Sequence, residues 1–235
     1  MHFSVEDLAA GYKDVVVRDV TFSATPGGIF AIIGVNGAGK STILKSIVGE
    51  ARLFGGRIWM ADDDITGVRG HALARRGVGY LPQVKDVFPG LSVTENLRMG
   101  GFMLPRREVP ARISAMLDQF PQLAKKRRSM AHNLSGGERK QLAIGRALMP
   151  EPSVLLMDEP TANLSPAVAE ELLFTQVPTL AKTGMAIVIV EQRIELVLSV
   201  ADQGCLISGG KMQQVATGSE IWDRIQSQGL VHDAS

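Results

Sequence analysis

The chain has 235 residues, 45% of them hydrophobic and 21% charged, and its formal net charge at pH 7 is +1. This length is enough to bury one large core, and the near-neutral charge argues against a dedicated nucleic-acid-binding protein. The single cysteine, Cys205, excludes an intrachain disulfide and favours a reducing compartment. The start, MHFSVEDLAAGYKD, lacks the pattern of a signal peptide, and no stretch reaches the roughly 18 apolar residues of a membrane span, so we expect a soluble or peripheral protein.

The charge is unevenly distributed along the chain. Residues 70–150 contain 14 Lys and Arg but only 5 Asp and Glu, so the rest of the chain is acidic. One interpretation is a solvated basic face. The other is a lobe that lies near a membrane surface or an acidic partner.

In chain order, the predicted elements change from antiparallel strands to alternating strands and helices. The stretches FSVEDLAAGY, VVVRDVTFSATPGG and GRIWMADDDITG are rich in β-formers and separated by turn residues, which favours antiparallel strands. The apolar runs GIFAIIG, VGYLP, SVLLMDEP, GMAIVIVE and QGCLISGG alternate with helical stretches, which predicts a parallel sheet with crossover helices. Residues 84–150 are helical and basic, and we interpret them as a helical subdomain inserted into a single domain of residues 1–235.

The stretch GVNGAGKST, residues 34–42, follows the predicted strand IFAII and opens a predicted helix. It fits the pattern of a phosphate-binding loop, in which glycines let backbone N–H groups cradle phosphate oxygens at a helix N-terminus. Lys40 is expected to reach the β- and γ-phosphates, and the Ser41 hydroxyl to bind Mg²⁺. The alternative, a glycine-rich turn without a ligand, does not explain why strand, lysine and hydroxyls all occur together.

A second buried strand, SVLLMDEP, ends in two carboxylates. We expect Asp158 to hold magnesium and Glu159 to act as the general base that polarises the attacking water. Without the phosphate loop, an acidic turn would be the simpler interpretation.

The stretch NLSGGERKQLAIGRALM, residues 133–149, predicts a helix that starts near Glu138 behind Ser135, Gly136 and Gly137. A helix that opens in this way offers a second anion-binding N-terminus. One phosphate loop suffices for one nucleotide, so this second site raises the question of whose phosphate it binds.

Over nearly all of its length the chain resembles the ATP-binding subunit of ATP-binding cassette transporters. GVNGAGKST, LSGGE and VLLMDEP match this family's two nucleotide motifs and its signature, in the expected order. The resemblance implies a P-loop NTPase of α/β class, with a RecA-like, mostly parallel core, an antiparallel β subdomain and an inserted helical subdomain. It also implies ATP and Mg²⁺ as cofactors.

The resemblance further implies specific roles for residues. Gln83 matches the glutamine that joins the metal and the water to the helical lobe, and Tyr12 lies where the family stacks an aromatic ring on adenine, although a core position is an equally good interpretation of Tyr12. The implied nucleotide-binding residues are Tyr12, Gly34, Val35, Asn36, Gly37, Ala38, Gly39, Lys40, Ser41 and Thr42, and the metal-binding residues are Ser41, Gln83 and Asp158. The implied signature residues are Leu134, Ser135, Gly136, Gly137 and Glu138. In the family two subunits pack head to tail, and each signature covers the γ-phosphate held by the other subunit.

Two positions differ from the usual family pattern. The apolar run from Met185 to Val190 predicts a buried strand, and the polar residues after it are expected to face the ligand crevice. Gln192 stands there in place of the family's usual histidine; it can donate a hydrogen bond to the γ-phosphate but cannot carry a proton charge. We include Gln192 among the catalytic residues, with Glu159 and Lys40. Ser165 occupies a position where the family often has aspartate.

These departures are typical of one subfamily, the shorter ATPase of branched-chain amino acid importers and of related urea or amide importers. The implied partners are a second ABC ATPase in a hetero- or homodimer, integral membrane permease subunits and, indirectly, a solute-binding protein, without nucleic acid. The implied location is peripheral, at the cytoplasmic face of the membrane. We expect Val87, Phe88 and Pro89 to form an exposed apolar cluster that receives a helix of the permease.

Two other classes of function remain open at this stage. Non-transport cassette ATPases of DNA repair or translation usually carry two cassettes or a long insertion, and this chain has neither. A regulatory module that closes on ATP but hydrolyses it poorly is consistent with Gln192, whereas Glu159 argues against it.

Overall fold

The computed structural model describes residues 2–213 and 215–227 of the chain. Within these residues ten strands form one mixed sheet in the order β5-β4-β1-β2-β10-β9-β3-β8-β7-β6. The strands are β1 Phe3–Gly11, β2 Val15–Ala24, β3 Ile29–Ile33, β4 Arg52–Met60, β5 Asp63–Asp64, β6 Val78–Leu81, β7 Val154–Asp158, β8 Ala186–Glu191, β9 Gln203–Ser208 and β10 Lys211–Met212.

Helices cover both faces of the parallel part of the sheet and fill the connection between β6 and β7. They are α1 Lys40–Ile47, α2 Gly70–Arg75, α3 Val93–Gly100, α4 Val109–Gln119, α5 Pro121–Lys125, α6 Gly136–Leu148, α7 Pro166–Glu171, α8 Val177–Ala181, α9 Ile194–Leu198 and α10 Gly218–Ser227. A 3₁₀ turn spans Ala131–Asn133, and a π-helical turn, Leu172–Gln176, joins α7 to α8. No helix in the described part of the chain is long and apolar enough to cross a membrane.

The two kinds of sheet predicted from the sequence are both confirmed. Strands β1, β2, β4 and β5 pair antiparallel, whereas β6, β7, β8, β3 and β9 pair parallel. The side chains of β3 alternate between two apolar cores: Ile29, Ala31 and Ile33 lie in one, and Phe30 and Ile32 in the other. A strand buried on both faces explains why this run is apolar throughout rather than alternating with polar residues.

The parallel register brings the carboxyl ends of β6, β7, β8 and β3 to one edge of the sheet. The paired residues at this edge are Leu81 with Met157, Asp158 with Val190, and Ile33 with Glu191. Gly34, Glu159 and Gln192, which each directly follow one of these strands, therefore start side by side. This is the edge at which open α/β sheets bind their ligands.

Two of the connecting helices, α3 and α6, pack closely through glycines. A Cβ atom on Gly145 would lie 3.1 Å from Leu97, and one on Gly100 would lie 2.5 Å from the carbonyl oxygen of Arg146. The backbone approach at Gly100 leaves no room for a larger residue. Helix α6 begins at Gly136, two residues before the predicted start, because Ser135 is its N-cap.

The side-chain amide of Asn96 is a buried hydrogen-bonding partner of the loop before α3. The Asn96 side chain is fully buried; its oxygen accepts from the Phe88 N–H at 2.8 Å, and its nitrogen donates to the Phe88 carbonyl at 3.0 Å. The same nitrogen also lies within hydrogen-bond distance of the carbonyl oxygens of Leu91 and Ser92. Val87 is buried here, so the expectation that it is exposed with Phe88 and Pro89 is wrong; the fixed loop turns it into the core.

We expect Asn96→Ala to lower the free energy of unfolding by about 2–3 kcal/mol, because buried backbone groups at Phe88 lose their partners. Asn96→Asp, which places a buried carboxylate against the carbonyl oxygens of Phe88, Leu91 and Ser92, is expected to be at least as destabilised as Asn96→Ala at neutral pH. Urea denaturation measures both. Equal stability of Asn96→Ala and wild type would contradict the assigned role.

Candidate nucleotide site

The loop of residues 34–39 runs from the end of β3 to the start of α1 and takes backbone conformations that favour glycine. Gly34, Gly37 and Gly39 have φ angles of 151°, 80° and 100°. A Cβ atom on Gly34 would lie 2.3 Å from the Ile207 carbonyl oxygen, and one on Gly39 would lie 2.3 Å from Val17. The glycines therefore let the loop lie tightly against β2 and β9, with the N-terminus of α1 pointing into the crevice.

Lys40, the first residue of α1, is only 4% exposed. Its ammonium group donates to the carbonyl oxygens of Gly34 and Val35 at 2.7 and 3.1 Å. Burial lowers the pKa of Lys40, while the nearby carboxylates of Glu159 and Asp158 oppose this shift. The cation is thus held inside the loop, where an anionic ligand would find its counter-charge.

Asp158, the last residue of β7, is fully buried beside the loop. Its Oδ1 accepts from the Ser41 hydroxyl at 2.7 Å, and its Oδ2 lies 3.5 Å from the Tyr80 hydroxyl. Burial raises the pKa of Asp158, and the hydrogen bond from Ser41 counteracts this rise. Two residues 117 positions apart are therefore joined at the mouth of the crevice.

Glu159 follows Asp158 with a positive φ of 46°, and its N–H donates to the Val190 carbonyl at 2.9 Å. The Gln83 side-chain amide donates a hydrogen bond to the Glu159 carboxylate. The structure thus brings Gln83 to Glu159, while Ser41 meets Asp158. The two adjacent acids therefore have different partners, and their separate roles remain a prediction.

The residues after β8 behave differently from one another. Glu191 is 1% exposed and accepts from the Thr161 N–H at 2.8 Å. The expectation that Glu191 faces the crevice is therefore wrong, because its side chain is buried inside the protein. The reason is that Glu191 still belongs to the buried strand and pairs with Ile33. Gln192 is the exposed residue at this strand end, and its contact with a phosphate remains a prediction.

The N-terminus of α6 has a reciprocal cap. The Ser135 hydroxyl accepts from the Glu138 N–H at 3.3 Å, and the Glu138 carboxylate accepts from the Ser135 N–H at 2.9 Å. Lys126 forms an ion pair with Glu138 at 2.8 Å, and its hydrogen bond lowers the pKa of that carboxyl. The N–H groups of Gly136 and Gly137 lie in the first helical turn, where no intrahelical acceptor exists. The reciprocal cap pairs the Ser135 and Glu138 groups with each other, and the Lys126 ion pair neutralises the Glu138 charge. The N–H groups of Gly136 and Gly137 are therefore available to an anion.

Tyr12 is 53% exposed at the end of β1, so the core position considered from the sequence is excluded. Its contact with adenine remains a prediction. Sequence patterns did not single out Tyr80, Thr161 or the buried ion pair between Lys140 and Asp86, whose atoms are 2.8 Å apart. Arg193, one of the polar residues expected to face the crevice, donates to the Leu164 carbonyl oxygen instead. No local sequence pattern marks Thr161 or the pair of Lys140 and Asp86. Tyr80 could have been noticed, because it lies in the predicted strand VGYLP, two residues before Pro82.

The side chains present fit a magnesium ion that is bound together with a nucleotide. Mg²⁺ takes oxygen ligands and commonly uses one or two protein groups plus phosphates and water, which suits the Ser41 hydroxyl and the Asp158 carboxylate. Among residues 2–213 and 215–227, no group of three or more His, Cys, Asp or Glu forms a self-sufficient metal site. Such a set is not required where phosphates complete the coordination.

The parallel sheet, the glycine loop between β3 and α1, and the two acids at the end of β7 define a P-loop nucleoside triphosphatase. Comparison with known proteins narrows this class. The sequence profile of the ABC transporter family matches residues 17–162, more than half of the chain. The chain therefore belongs to the ABC transporter family, and it is an ATPase.

Individual relatives cover almost the whole chain. It is 38% identical over 216 residues to a probable branched-chain amino acid transport ATP-binding protein, LivF, of Archaeoglobus fulgidus, covering 91% of both chains. It is 34% identical to the lipopolysaccharide export system ATP-binding protein LptB of Escherichia coli, covering 93% of this chain and 91% of that one. The structure of the ADP conformation of MJ1267, an ATP-binding cassette of an ABC transporter, superposes with a TM-score of 0.84 at 28% identity, covering 98% and 97% of the two chains.

The buried charge of Asp158 generates a prediction about stability. Because its pKa is raised above the ordinary value of 3.8 in the folded state, the carboxylate destabilises the protein increasingly as pH rises through that raised pKa. We expect Asp158→Asn without nucleotide to have a higher free energy of unfolding than the wild type at pH 7. This difference should disappear as pH falls towards 4.

Denaturation of both proteins at several pH values measures this difference. Asp64→Asn is the matched control: the pKa of exposed Asp64 is lowered by its hydrogen bonds to Thr66, so this variant should lose stability at neutral pH. Added Mg²⁺ and ATP should then stabilise the wild type more than Asp158→Asn, since a ligand of the folded state raises stability. If Asp158→Asn were less stable than the wild type at pH 7 without nucleotide, the claim that the buried Asp158 carboxylate destabilises the fold would be refuted.

Proposed function

We propose that this chain is the ATP-binding and ATP-hydrolysing subunit of an importer that takes up branched-chain or other hydrophobic amino acids through membrane permease subunits. The observation that carries the catalytic part is the position of Glu159, held at the sheet edge by Val190 and Gln83 beside the glycine loop. The solute is supported by the similarity to LivF over 91% of both chains. An importer of urea or short amides is the alternative. The chain is also 34% identical to LptB, the ATP-binding protein of an export system, so sequence similarity alone does not fix the direction of transport.

In this proposal the loop of residues 34–39, with Lys40, Ser41 and Thr42, binds the phosphates of ATP, and Tyr12 stacks on the adenine. Ser41, Gln83 and Asp158 hold Mg²⁺, which neutralises charge that develops on the phosphates. The observed bond from Ser41 to Asp158 supports two of these three ligands. Gln83 instead touches Glu159, so we assign it the double task of reaching the metal and orienting the base.

Glu159 acts as the general base for the attacking water. Its carboxylate is buried, and the Gln83 amide, which donates a hydrogen bond to it, fixes its orientation. Lys40 counteracts the negative charge that develops as the γ-phosphate departs. Gln192, exposed at the neighbouring strand end, donates a hydrogen bond to the γ-phosphate where a histidine stands in most of the family. This arrangement keeps hydrolysis possible without a titrating side chain at that position.

A second ATPase chain completes each site. The capped α6 N-terminus with Leu134, Ser135, Gly136, Gly137 and Glu138 binds the γ-phosphate held by the opposite subunit of a head-to-tail dimer. The capping box and the Lys126 ion pair support this role because they leave an uncharged, rigid helix end. In the cell we favour a heterodimer with a longer sister ATPase, and a homodimer in purified material would not contradict it.

Residues 84–150 form the helical subdomain of one cassette that spans residues 1–235, and this subdomain receives the permease. Val84 and Phe88 are 62% and 41% exposed on the loop that follows Gln83, so an apolar helix of the permease can bind them. Arg146 lies over the Phe88 ring at 4.6 Å and anchors this loop to α6. The protein is then peripheral at the cytoplasmic face of the membrane, and it meets the solute-binding protein only through the permease.

Steady-state ATP hydrolysis over a range of protein concentrations tests the catalytic proposal. We expect turnover to rise faster than linearly with concentration, because each site needs two chains. Glu159→Gln is expected to lower kcat at least about a hundredfold while ATP is still bound, because only the base is lost. Wild type that binds ATP without turnover, alone and with the sister ATPase and permease, would instead favour a regulatory half with weak hydrolysis.

Reconstitution with permease and solute-binding protein tests the solute and the docking surface. We expect leucine-loaded binding protein to stimulate hydrolysis and urea to have no effect; stimulation by urea alone would select the alternative importer. Phe88→Glu should abolish the stimulation by introducing a charge into an apolar contact. Phe102→Glu is the matched control, since Phe102 is also an exposed phenylalanine of residues 84–150. Full stimulation of Phe88→Glu would refute docking at this loop.

A further inference from the structure

The buried carboxylate of Glu191 has no part in the chemistry proposed above, yet it lies one residue from Gln192. Its Oε1 accepts from the Thr161 N–H at 2.8 Å, and its Oε2 accepts from the Gln192 N–H at 3.1 Å. Burial of a carboxylate at 1% exposure destabilises a protein unless hydrogen bonds compensate it. The carboxylate also receives hydrogen bonds from the Thr161 side chain and the Arg193 N–H, so its donors come from two different segments of the chain.

The residue on the other side of Gln192 makes a matching contact. The Arg193 guanidinium donates to the Leu164 carbonyl oxygen at 3.1 Å. Glu191 thus binds the first residue of the segment Thr161–Leu164, and Arg193 binds its last residue. We call these four residues the 161–164 segment.

The 161–164 segment is also connected to Glu159. The Ala162 N–H donates to the Glu159 carbonyl at 3.1 Å, and the Leu164 N–H donates to the Thr161 carbonyl at 3.2 Å. Since the Glu159 N–H bonds to Val190, the main chain at Glu159 and the 161–164 segment are both attached to the end of β8. A shift of this strand end would therefore displace the base and the segment together.

At its far side the 161–164 segment reaches the start of α6. A Cβ atom on Gly136 would lie 3.7 Å from the Leu164 side chain and 3.9 Å from the Asn163 carbonyl oxygen. Gln83, Gly136 and Asn163 line one cavity of about 270 Å³. The segment thus lies between the strand end that carries Gln192 and the helix end that carries the signature residues.

We propose that Glu191 and Arg193 are positioning residues that clamp the 161–164 segment, so that the position of Gln192 sets those of Glu159 and of the α6 N-terminus. This proposal rests on the proposed function, because it assumes that Glu159 is the base and that Gln192 faces the γ-phosphate. A displacement of Gln192 would move Glu159 through the end of β8, and it would move the α6 N-terminus through the 161–164 segment. A carboxylate suits the first position because its two oxygens accept from two N–H groups and donate to neither.

Glu191→Gln tests the first half of the clamp. The amide keeps one acceptor oxygen, but its NH₂ group then faces N–H donors that the second carboxylate oxygen had accepted from, so part of the hydrogen bonds is lost. We expect kcat to fall about tenfold, the loss associated with a hydrogen bond to a charged acceptor, and the KM for ATP to stay within about twofold. In combination with Gln192→Ala, the loss should be smaller than the product of the two single losses, because both changes act through Gln192.

Arg193→Ala and Arg193→Lys test the second half independently, on a half-buried side chain whose removal leaves no buried charge behind. We expect Arg193→Ala to lower kcat several-fold with unchanged ATP affinity. Arg193→Lys should recover most of the loss, since an ammonium group also donates to a carbonyl. Glu195→Gln is the matched control: it removes an exposed carboxylate from the same stretch, and kcat should equal that of the wild type.

The experiment separates failure of the clamp from failure of the proposed function. If Glu159→Gln abolishes turnover but Arg193→Ala retains the full kcat, the proposed base stands and the clamp is refuted. The same holds if Glu191→Gln lowers only the unfolding midpoint, or if Arg193→Lys is no better than Arg193→Ala. If Glu159→Gln retains turnover, the proposed function itself fails. Should Glu191→Gln not fold, the Arg193 pair still decides the question.

Discussion

The parallel register of β3, β7 and β8 is the constraint on which the rest of the structure depends. Main-chain hydrogen bonds align Ile33 with Glu191 and Asp158 with Val190. Glu159 and Gln192 directly follow a strand end, and the phosphate loop starts at the residue after β3, where the buried sheet gives way to solvent. The phosphate loop, the acids and the strand end of Gln192 are therefore rigid relative to one another, although they are far apart in the sequence.

This edge concentrates buried charge, which folding alone would not favour. Lys40, Asp158, Glu159 and Glu191 are all almost inaccessible to solvent. Each has partners that reduce the cost: loop carbonyls for Lys40, Ser41 for Asp158, Gln83 for Glu159 and backbone N–H groups for Glu191. The raised pKa values of Asp158 and Glu191 show that the compensation is incomplete. Such a strained charge pattern is typical of sites that await a charged ligand.

Local patterns in the sequence were sufficient for the strands, the phosphate loop and the two acids, because each depends on neighbours along the chain. They failed where a contact between distant segments decides the outcome. Val87 is buried because Asn96 fixes the loop around Phe88, and no local pattern reveals that bond. Glu191 turns inward because Thr161, 30 residues away, supplies its donor. The roles of Tyr12 and Gln192 depend on a nucleotide and remain predictions.

The central claim is that each active site is shared between two chains, and mixing two inactive variants tests it most directly. Lys40→Ala damages the phosphate loop, and Gly136→Asp damages the signature. In a head-to-tail dimer of one Lys40→Ala chain and one Gly136→Asp chain, one of the two sites combines an intact phosphate loop with an intact signature. Mixing should therefore restore hydrolysis, and the mixed dimer should approach half the rate of the wild-type dimer. If the wild type is active but the mixture remains as inactive as either variant alone, the site lies within one chain and the account is wrong.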